Sequence, residues 1–168
     1  SSTTLQMALG DAVAGMATML LGLQKEDFAL FHPGGSLGKK LLLRVKDLMG
    51  SVDKLPVTKK GALVRDALFD ITSKGYGATV IIDEAGFLLG IFTDGDLRRV
   101  IEKHGLEGLD LPVESVMTKN PRVIAPDKLA VEAVRIVEEW EVSALVVVED
   151  GKPVGMVHIH EILKAGVA

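Results

Sequence analysis

Apolar and polar positions follow the same order twice along this chain. Each pass runs through a short strand, an amphipathic helix, two apolar runs joined by a turn, and a closing helix. In the first pass a short strand lies near Leu55. Leu63, Ala67, Leu68 and Ile71 then fall on one face of a helix predicted from Ala62 to Lys74. The run Thr79-Val80-Ile81-Ile82-Asp83 turns through Glu84-Ala85-Gly86 into a second run containing Gly90-Ile91-Phe92. In the second pass the strand lies near Val123, and Leu129, Ala133, Val134 and Val137 share a helix face between Lys128 and Trp140. The run from Leu145 to Glu149 meets Gly155-Met156-Val157 through Asp150-Gly151-Lys152, and Asp-Gly between apolar runs is a strong hairpin signal. Closing helices are predicted to start at Asp94 and Ile159.

The two passes correspond position by position. Val45-Lys46-Asp47-Leu48-Met49 parallels Val113-Glu114-Ser115-Val116-Met117, and Val64-Arg65-Asp66-Ala67 parallels Val131-Glu132-Ala133-Val134. Gly90 parallels Gly155, with small drifts of the kind loop-length changes produce. The pattern therefore reads as β-α-β-β-α twice, in the α/β (α+β) class. A single copy leaves a sheet face bare, so two copies packed through their sheets, sharing one core, make the folding unit.

Ahead of the repeats, Met7 to Leu23 is nearly continuous in apolar residues. It carries Asp11, is followed by Gln24-Lys25-Glu26-Asp27 and lacks a basic start, so it reads as a buried helix and not as a membrane span or signal peptide. Pro33 and the glycines after it mark a loop or hinge between Phe28 and Gly38. The opening Ser1-Ser2-Thr3-Thr4, without an initiator Met, reads as a helix cap at the cut edge of a longer protein.

Composition narrows the chemistry. Hydrophobic residues make up 48% but aromatics only 4%, so the core is built of Val, Leu, Ile, Ala and Met. A net charge of -4 argues against a nucleic-acid partner. The absence of cysteine excludes disulfides, thiolate metal sites and cysteine nucleophiles, and fits a cytoplasmic location.

Thr93-Asp94-Gly95-Asp96 is the sharpest candidate element. It sits at a strand-to-helix junction, where free backbone N–H groups and the helix dipole favour an anion. A carboxylate at Asp96 suits both hydroxyls of a cis-diol. Thr93 with Asp96 three residues on is equally a capping box, and the two roles are compatible. The second copy has His158 for Thr93 and Glu161 for Asp96. His158 and His160 can donate to an acidic group, form half of a metal site, or serve as plain polar surface; no further metal ligands are evident, and no metal is assigned.

The order Met49, Val57, Asp66-Ala67, Val80 to Asp83, and Gly90-Ile91-Phe92-Thr93-Asp94-Gly95-Asp96-Leu97 resembles a CBS motif. Gly155-Met156-Val157-His158-Ile159-His160-Glu161-Ile162 resembles the end of its partner. The resemblance covers about Val45 to Ala165. It implies a Bateman module, in which paired CBS motifs bind adenine or other nucleotides between the copies. By that resemblance the Thr93 hydroxyl lies near phosphate and Asp96 accepts from ribose hydroxyls. It also implies pocket lining by Pro56, Val57, Thr58, Ala78, Thr79, Val123, Ile124 and Ser143, for which plain sheet core is the other reading.

The first block, through Phe28-Ala29-Leu30-Phe31-His32-Pro33-Gly34-Gly35-Ser36-Leu37-Gly38-Lys39, is similar to the end of a SIS (sugar isomerase) domain. A SIS domain followed by paired CBS motifs is the architecture of the arabinose-5-phosphate isomerase family, which interconverts D-arabinose 5-phosphate and D-ribulose 5-phosphate for Kdo and lipopolysaccharide synthesis. The resemblance divides the chain into 1–44 (end of the SIS domain and linker), 45–107 (first CBS motif) and 113–168 (second). His32 matches a histidine of that family's active site, where an imidazole moves a proton between adjacent carbons; its other reading is a hinge residue. The family's remaining catalytic groups would lie upstream, so the chain alone is expected to be inactive. No cofactor is required. The implied regulatory ligand is CMP-Kdo, with AMP, ADP or ATP as alternatives. The implied partners are further copies of the chain, stacked through CBS pairs in a homotetrameric parent, with no nucleic acid and no membrane. A purely structural role in assembly is the second reading.

Overall fold

The computed structural model describes residues 2–22 and 42–167. The chain divides into two units, Ser1–Leu42 and Leu43–Ala168. In the first, one helix, α1, spans Ser2–Leu20. The expected helix is there but the expected burial is not: none of its residues is buried. Leu5, Met7, Leu9, Val13, Met16 and Met19 are all exposed. A helix that is apolar on every side needs cover on every side, and the described residues of this unit supply none. The hinge run from Phe28 to Lys39, with His32, lies outside the described residues.

The second unit contains two sheets. The first repeat provides β1 (Val57–Lys59), α2 (Val64–Ser73), β2 (Ala78–Ile82), β3 (Leu88–Thr93) and α3 (Asp94–His104). A 3-10 stretch, Gly105–Asp110, leads to α4 (Val113–Val116) and β4 (Thr118–Lys119). The second repeat provides β5 (Val123–Ile124), α5 (Ala130–Trp140), β6 (Ala144–Glu149), β7 (Lys152–His158) and α6 (Ile159–Lys164). The first sheet has the order β1-β2-β3-β4 and the second β5-β6-β7. In each, the first strand runs parallel to the second and the second antiparallel to the third.

Local chemistry explains the element ends. Asp150 and Gly151 both take positive φ (50° and 77°), the geometry a two-residue hairpin loop requires. At the start of α2 the Leu63 amide donates to the Asp66 carboxylate at 3.1 Å, and at the start of α5 the Leu129 amide donates to Glu132 at 3.4 Å.

β2 is buried from Ala78 to Ile81 because both of its faces are covered. Ile81 packs with Val64, Ala67, Ile71, Phe92 and Val100 beneath the helices. Val80 packs with Ala78, Leu55, Val146 and Met156 between the sheets. The second repeat has its own layer around Ala133, Val137, Leu145, Val147 and Ile162. The expected core shared between the two sheets is there, and two further apolar layers flank it, because each sheet is clad on its outer face by helices.

The repeats exchange their leading segments. Val45, which opens the first repeat, is buried in the core of the second, with Leu43, Leu48 and Met49 packed beside it. Val113, Val116 and Met117, which open the second, pack in the core of the first. Matching backbone bonds fix both crossings. The Val45 amide donates to Lys128 and the Val113 amide to Ala62, each at 2.9 Å; Ala130 donates to Leu43 at 2.8 Å and Val64 to Leu111 at 3.0 Å. Gly50 donates to Met156 at 3.0 Å beside β7, as β4 pairs with β3 through Gly90↔Lys119. Glycine is needed at both crossings. A Cβ on Gly90 would lie 2.7 Å from Met117 Sδ and 2.7 Å from the Thr118 carbonyl oxygen. On Gly155 it would lie 2.9 Å from Met49 Sδ and 3.0 Å from the Gly50 oxygen. Among the described residues no helix is long and apolar enough to cross a membrane.

Candidate functional site

A cleft of about 1120 Å³ opens between the two repeats of the second unit. Its walls come from equivalent places in each copy. Gly75-Tyr76-Gly77-Ala78 enters β2 on one side, and Glu141-Val142-Ser143-Ala144 enters β6 on the other. The β3–α3 junction adds Thr93 to Asp96, the β7–α6 junction adds His158 and His160, and the segment after β4 adds Asn120, Pro121 and Arg122. One bond in each copy ties the entering loop to the helix start: the Asp94 amide donates to Gly77 at 3.0 Å and the Ile159 amide to Ser143 at 2.9 Å.

The first junction is a complete capping box. The Asp96 amide donates to Thr93 Oγ1 at 3.2 Å, and the Thr93 amide donates back to Asp96 Oδ2 at 2.9 Å. The Thr93 hydroxyl donates to the same Oδ2 at 2.8 Å. Asp96 Oδ1 accepts from the Thr118 hydroxyl at 3.1 Å and from the Arg99 guanidinium. Asp96 is buried while Arg99, its ion-pair partner, is largely exposed.

The second junction is built differently. His158 caps α6 by accepting the His160 amide on Nδ1 at 3.2 Å, and the two imidazoles stack with centroids 4.7 Å apart. Glu161 does not reach back as Asp96 does; it is exposed and bonded to Lys164 at 2.9 Å. That bond and the Lys164 charge hold the Glu161 carboxyl below the usual range. A smaller cavity of about 590 Å³ continues past His158 and His160 toward Lys54, Lys74 and Lys164. Tyr76 borders both cavities, and burial, aided by the Glu161 charge, pushes its phenol up. Among the described residues no cluster of three or more His, Asp or Glu is placed to hold a metal ion.

Of the residues expected from sequence, Thr93, Asp96, Ala78, Ser143, His158 and His160 line the cleft. The lining expected from Pro56, Val57, Thr58, Thr79, Val123 and Ile124 is corrected. Strand alternation turns Thr58 and Thr79 to the helix side, where the Thr58 hydroxyl donates to Asp70 of α2 at 2.6 Å and lies 3.0 Å from the Thr79 hydroxyl. Pro56 is buried, Val57 packs into the layer between the sheets and Ile124 into the second repeat's core. Val123 is exposed and is not part of the cleft lining. His32 lies outside the described residues.

Sequence reasoning missed Arg99, Arg122, Trp140 and Tyr76. Arg99 was within reach of it, three residues after Asp96 on the same helix face. Arg122 and Trp140 were not: the guanidinium stacks 3.2 Å from the centre of the indole ring, a meeting that only the folded cleft creates.

One pH dependence follows from this wall. Burial first, and the neighbouring His160 second, hold the His158 imidazole below its ordinary pKa, against a smaller opposing pull from Glu161. The unfolded chain therefore takes the proton more readily. The stability tied to neutral His158 is full above the unfolded value of about 6.5 and is lost as pH falls through it toward the folded value. Urea unfolding at about pH 7.5 and about pH 5.5 is expected to show a drop that shrinks in His158→Asn, which keeps a capping side chain. Equal drops in both proteins would free His158 of this role.

Comparison with known proteins adds to the geometry. A CBS domain is matched at residues 45–103 and again at 113–168. Arabinose 5-phosphate isomerase KdsD of Pseudomonas aeruginosa is 45% identical over 168 residues, covering 99% of this chain and 51% of that protein. KdsD of Escherichia coli K12 is 44% identical over 167 residues, with the same coverage of 99% and 51%. The chain thus spans about half the length of the curated relatives it matches. Among solved structures, CBSX2 in complex with AMP superposes with a TM-score of 0.65 at 27% identity, over 74% of this chain and 96% of that one.

Proposed function

We propose, from the premise that this chain belongs to the CBS domain family, that its paired repeats form a regulatory module holding a nucleotide-type ligand in the cleft. The observation that carries this reading is the position of the Thr93–Asp96 junction, set in the wall of a cleft to which both copies contribute. AMP in the CBSX2 structure supports the ligand class.

The finer reading is that the module regulates an arabinose 5-phosphate isomerase, as the likeness to the two KdsD proteins suggests. The apolar α1, for which the described residues supply no cover, fits that reading, since a sugar isomerase domain would supply one. Catalysis, and any part His32 plays in it, would belong to the whole enzyme. The preferred ligand is the activated end product, CMP-Kdo. It brings a ribose for Asp96, a phosphate for the Thr93 side and a sugar carboxylate within reach of His158 and His160. AMP, ADP and ATP are the generic competitors.

The test uses the single Trp of the chain, which lines the cleft. Titration with CMP-Kdo is expected to alter Trp140 emission as ligand meets the Arg122–Trp140 stack. A tenfold excess over Kd should add about 1.4 kcal/mol of stability, read as a rise in Tm. Tighter binding of AMP than of CMP-Kdo would replace the ligand. No response to any nucleotide at millimolar concentration would remove the sensing reading and favour a role in assembly.

A further inference from the structure

The carboxylate proposed to receive a ribose is already full. Asp96 is 4% exposed, and its oxygens hold four donors: the Thr93 amide, the Thr93 hydroxyl, the Thr118 hydroxyl and the Arg99 guanidinium. An ionised carboxylate offers about four lone-pair positions, so no position is left for a diol. Two of the donors belong to the cap that starts α3, and Thr118 is fixed on β4, which is paired with β3. Arg99 differs from them. Its side chain is 63% exposed, hangs on a flexible stem and lines the same cleft. It is the donor that can leave without unpicking the fold.

We propose that Arg99 is a latch over Asp96, displaced by the hydroxyls of an entering ribose and then available to the ligand's phosphate. The proposal rests on the nucleotide reading of the cleft. The exchange keeps Asp96 supplied with donors throughout. The freed guanidinium remains at the cleft wall, where a phosphate offers it a two-pronged, charge-assisted partner. A nucleoside can trigger the first exchange but not satisfy the second, and it leaves Arg99 unpaired. The latch therefore favours phosphorylated ligands over their nucleosides, on top of whatever preference for an anion the Thr93 junction gives.

Calorimetry on the whole chain, wild type against Arg99→Met, tests this with AMP, adenosine and 2′-deoxyadenosine, and with the matching cytosine series. Wild type should bind the nucleotide more tightly than the nucleoside. R99M should bind the ribonucleoside more tightly than wild type does, by on the order of fivefold, the scale of a partly exposed ion pair. It should discriminate less between nucleotide and nucleoside. The 2′-deoxynucleoside should gain less than the ribonucleoside, because it lacks the second hydroxyl. Arg99→Lys, which keeps a charge but loses the fork, should show a smaller gain in the same direction and carries the comparison if R99M fails to fold. Binding by R99M that appears where wild type shows none supports the latch. Wild type that binds nucleotide, with no gain for ribonucleoside in either variant, overturns the latch and leaves the nucleotide reading standing. No binding by wild type or variants overturns both.

Discussion

Asp96→Ala is expected to destabilise the protein by about 3 kcal/mol, measured as a shift of the urea midpoint with an unchanged slope. The size follows from what the carboxylate holds. The Thr93 hydroxyl, which still accepts the residue-96 amide, loses the acceptor for its own proton, at about 1 kcal/mol. The Thr93 amide and the Thr118 hydroxyl, both bonded to the carboxylate, would lose their acceptor in a largely buried place, at about 1 kcal/mol or more each. The Arg99 pair adds little, because its guanidinium is largely solvated. Asp96→Asn should fall well short of the alanine cost, since the amide keeps one acceptor oxygen for the Thr93 amide. Thr93→Val should cost about 1 kcal/mol, the cap alone. An Asp96→Ala protein as stable as wild type would mean that the carboxylate does not hold this corner together. Ligand binding should be measured on the Asn variant, where folding and recognition are easier to separate.

The second large effect is expected at the crossings. Gly90→Ala places a methyl group 2.7 Å from the Thr118 carbonyl oxygen and 2.7 Å from Met117 Sδ. The sulfur can turn aside, but the carbonyl belongs to β4, so the strand must move away from β3. Overpacking of this kind costs about 2–3 kcal/mol. Gly155→Ala, with its contacts at 2.9 and 3.0 Å, should cost less in the same direction. The two sites lie at separate crossings, so the double variant should lose about the sum. Thermal unfolding of the three proteins checks both the order and the additivity. A neutral Gly90→Ala would show that β4 is not held against β3 as tightly as the strand pairing indicates.

What the sequence revealed was local. Asp150-Gly151 announces its own turn, Thr93 and Asp96 announce a helix start, and the face shared by Ala133, Val134 and Val137 finds its core. Each of these depends on neighbours a few residues away. The misses depend on partners far along the chain. Val45 and Val113 align correctly as repeat positions, yet no local pattern shows that each is buried in the other copy. Thr58 and Thr79 were expected in the cleft because the CBS resemblance implies pocket lining there. A strand sends successive side chains to opposite faces, and a single step of register decides between cleft and helix. The identity of the cleft loops was legible, as Ala78 and Ser143 show. The meeting of Arg122 with Trp140 was not, because a long cationic side chain finds a distant partner only after the backbone is placed. For α1 the apolar pattern called for cover, and the described residues do not contain it.

The ribosome delivers the chain in one direction, and that gives the exchanged segments an order in time. Once Met117 has emerged, the first repeat has every piece of its core, because Val113, Val116 and Met117 are the residues that close it. Val45, Leu48 and Met49 were made much earlier, but their shelter includes Val157 and Ile162, close to the end. Throughout synthesis of the second repeat the growing chain therefore trails an apolar hook with no socket of its own. This is the stretch a chaperone would hold. It is also where two nascent chains on one message would cross, the hook of one seated in the second repeat of the other, giving an intertwined dimer from a sequence that also closes on itself.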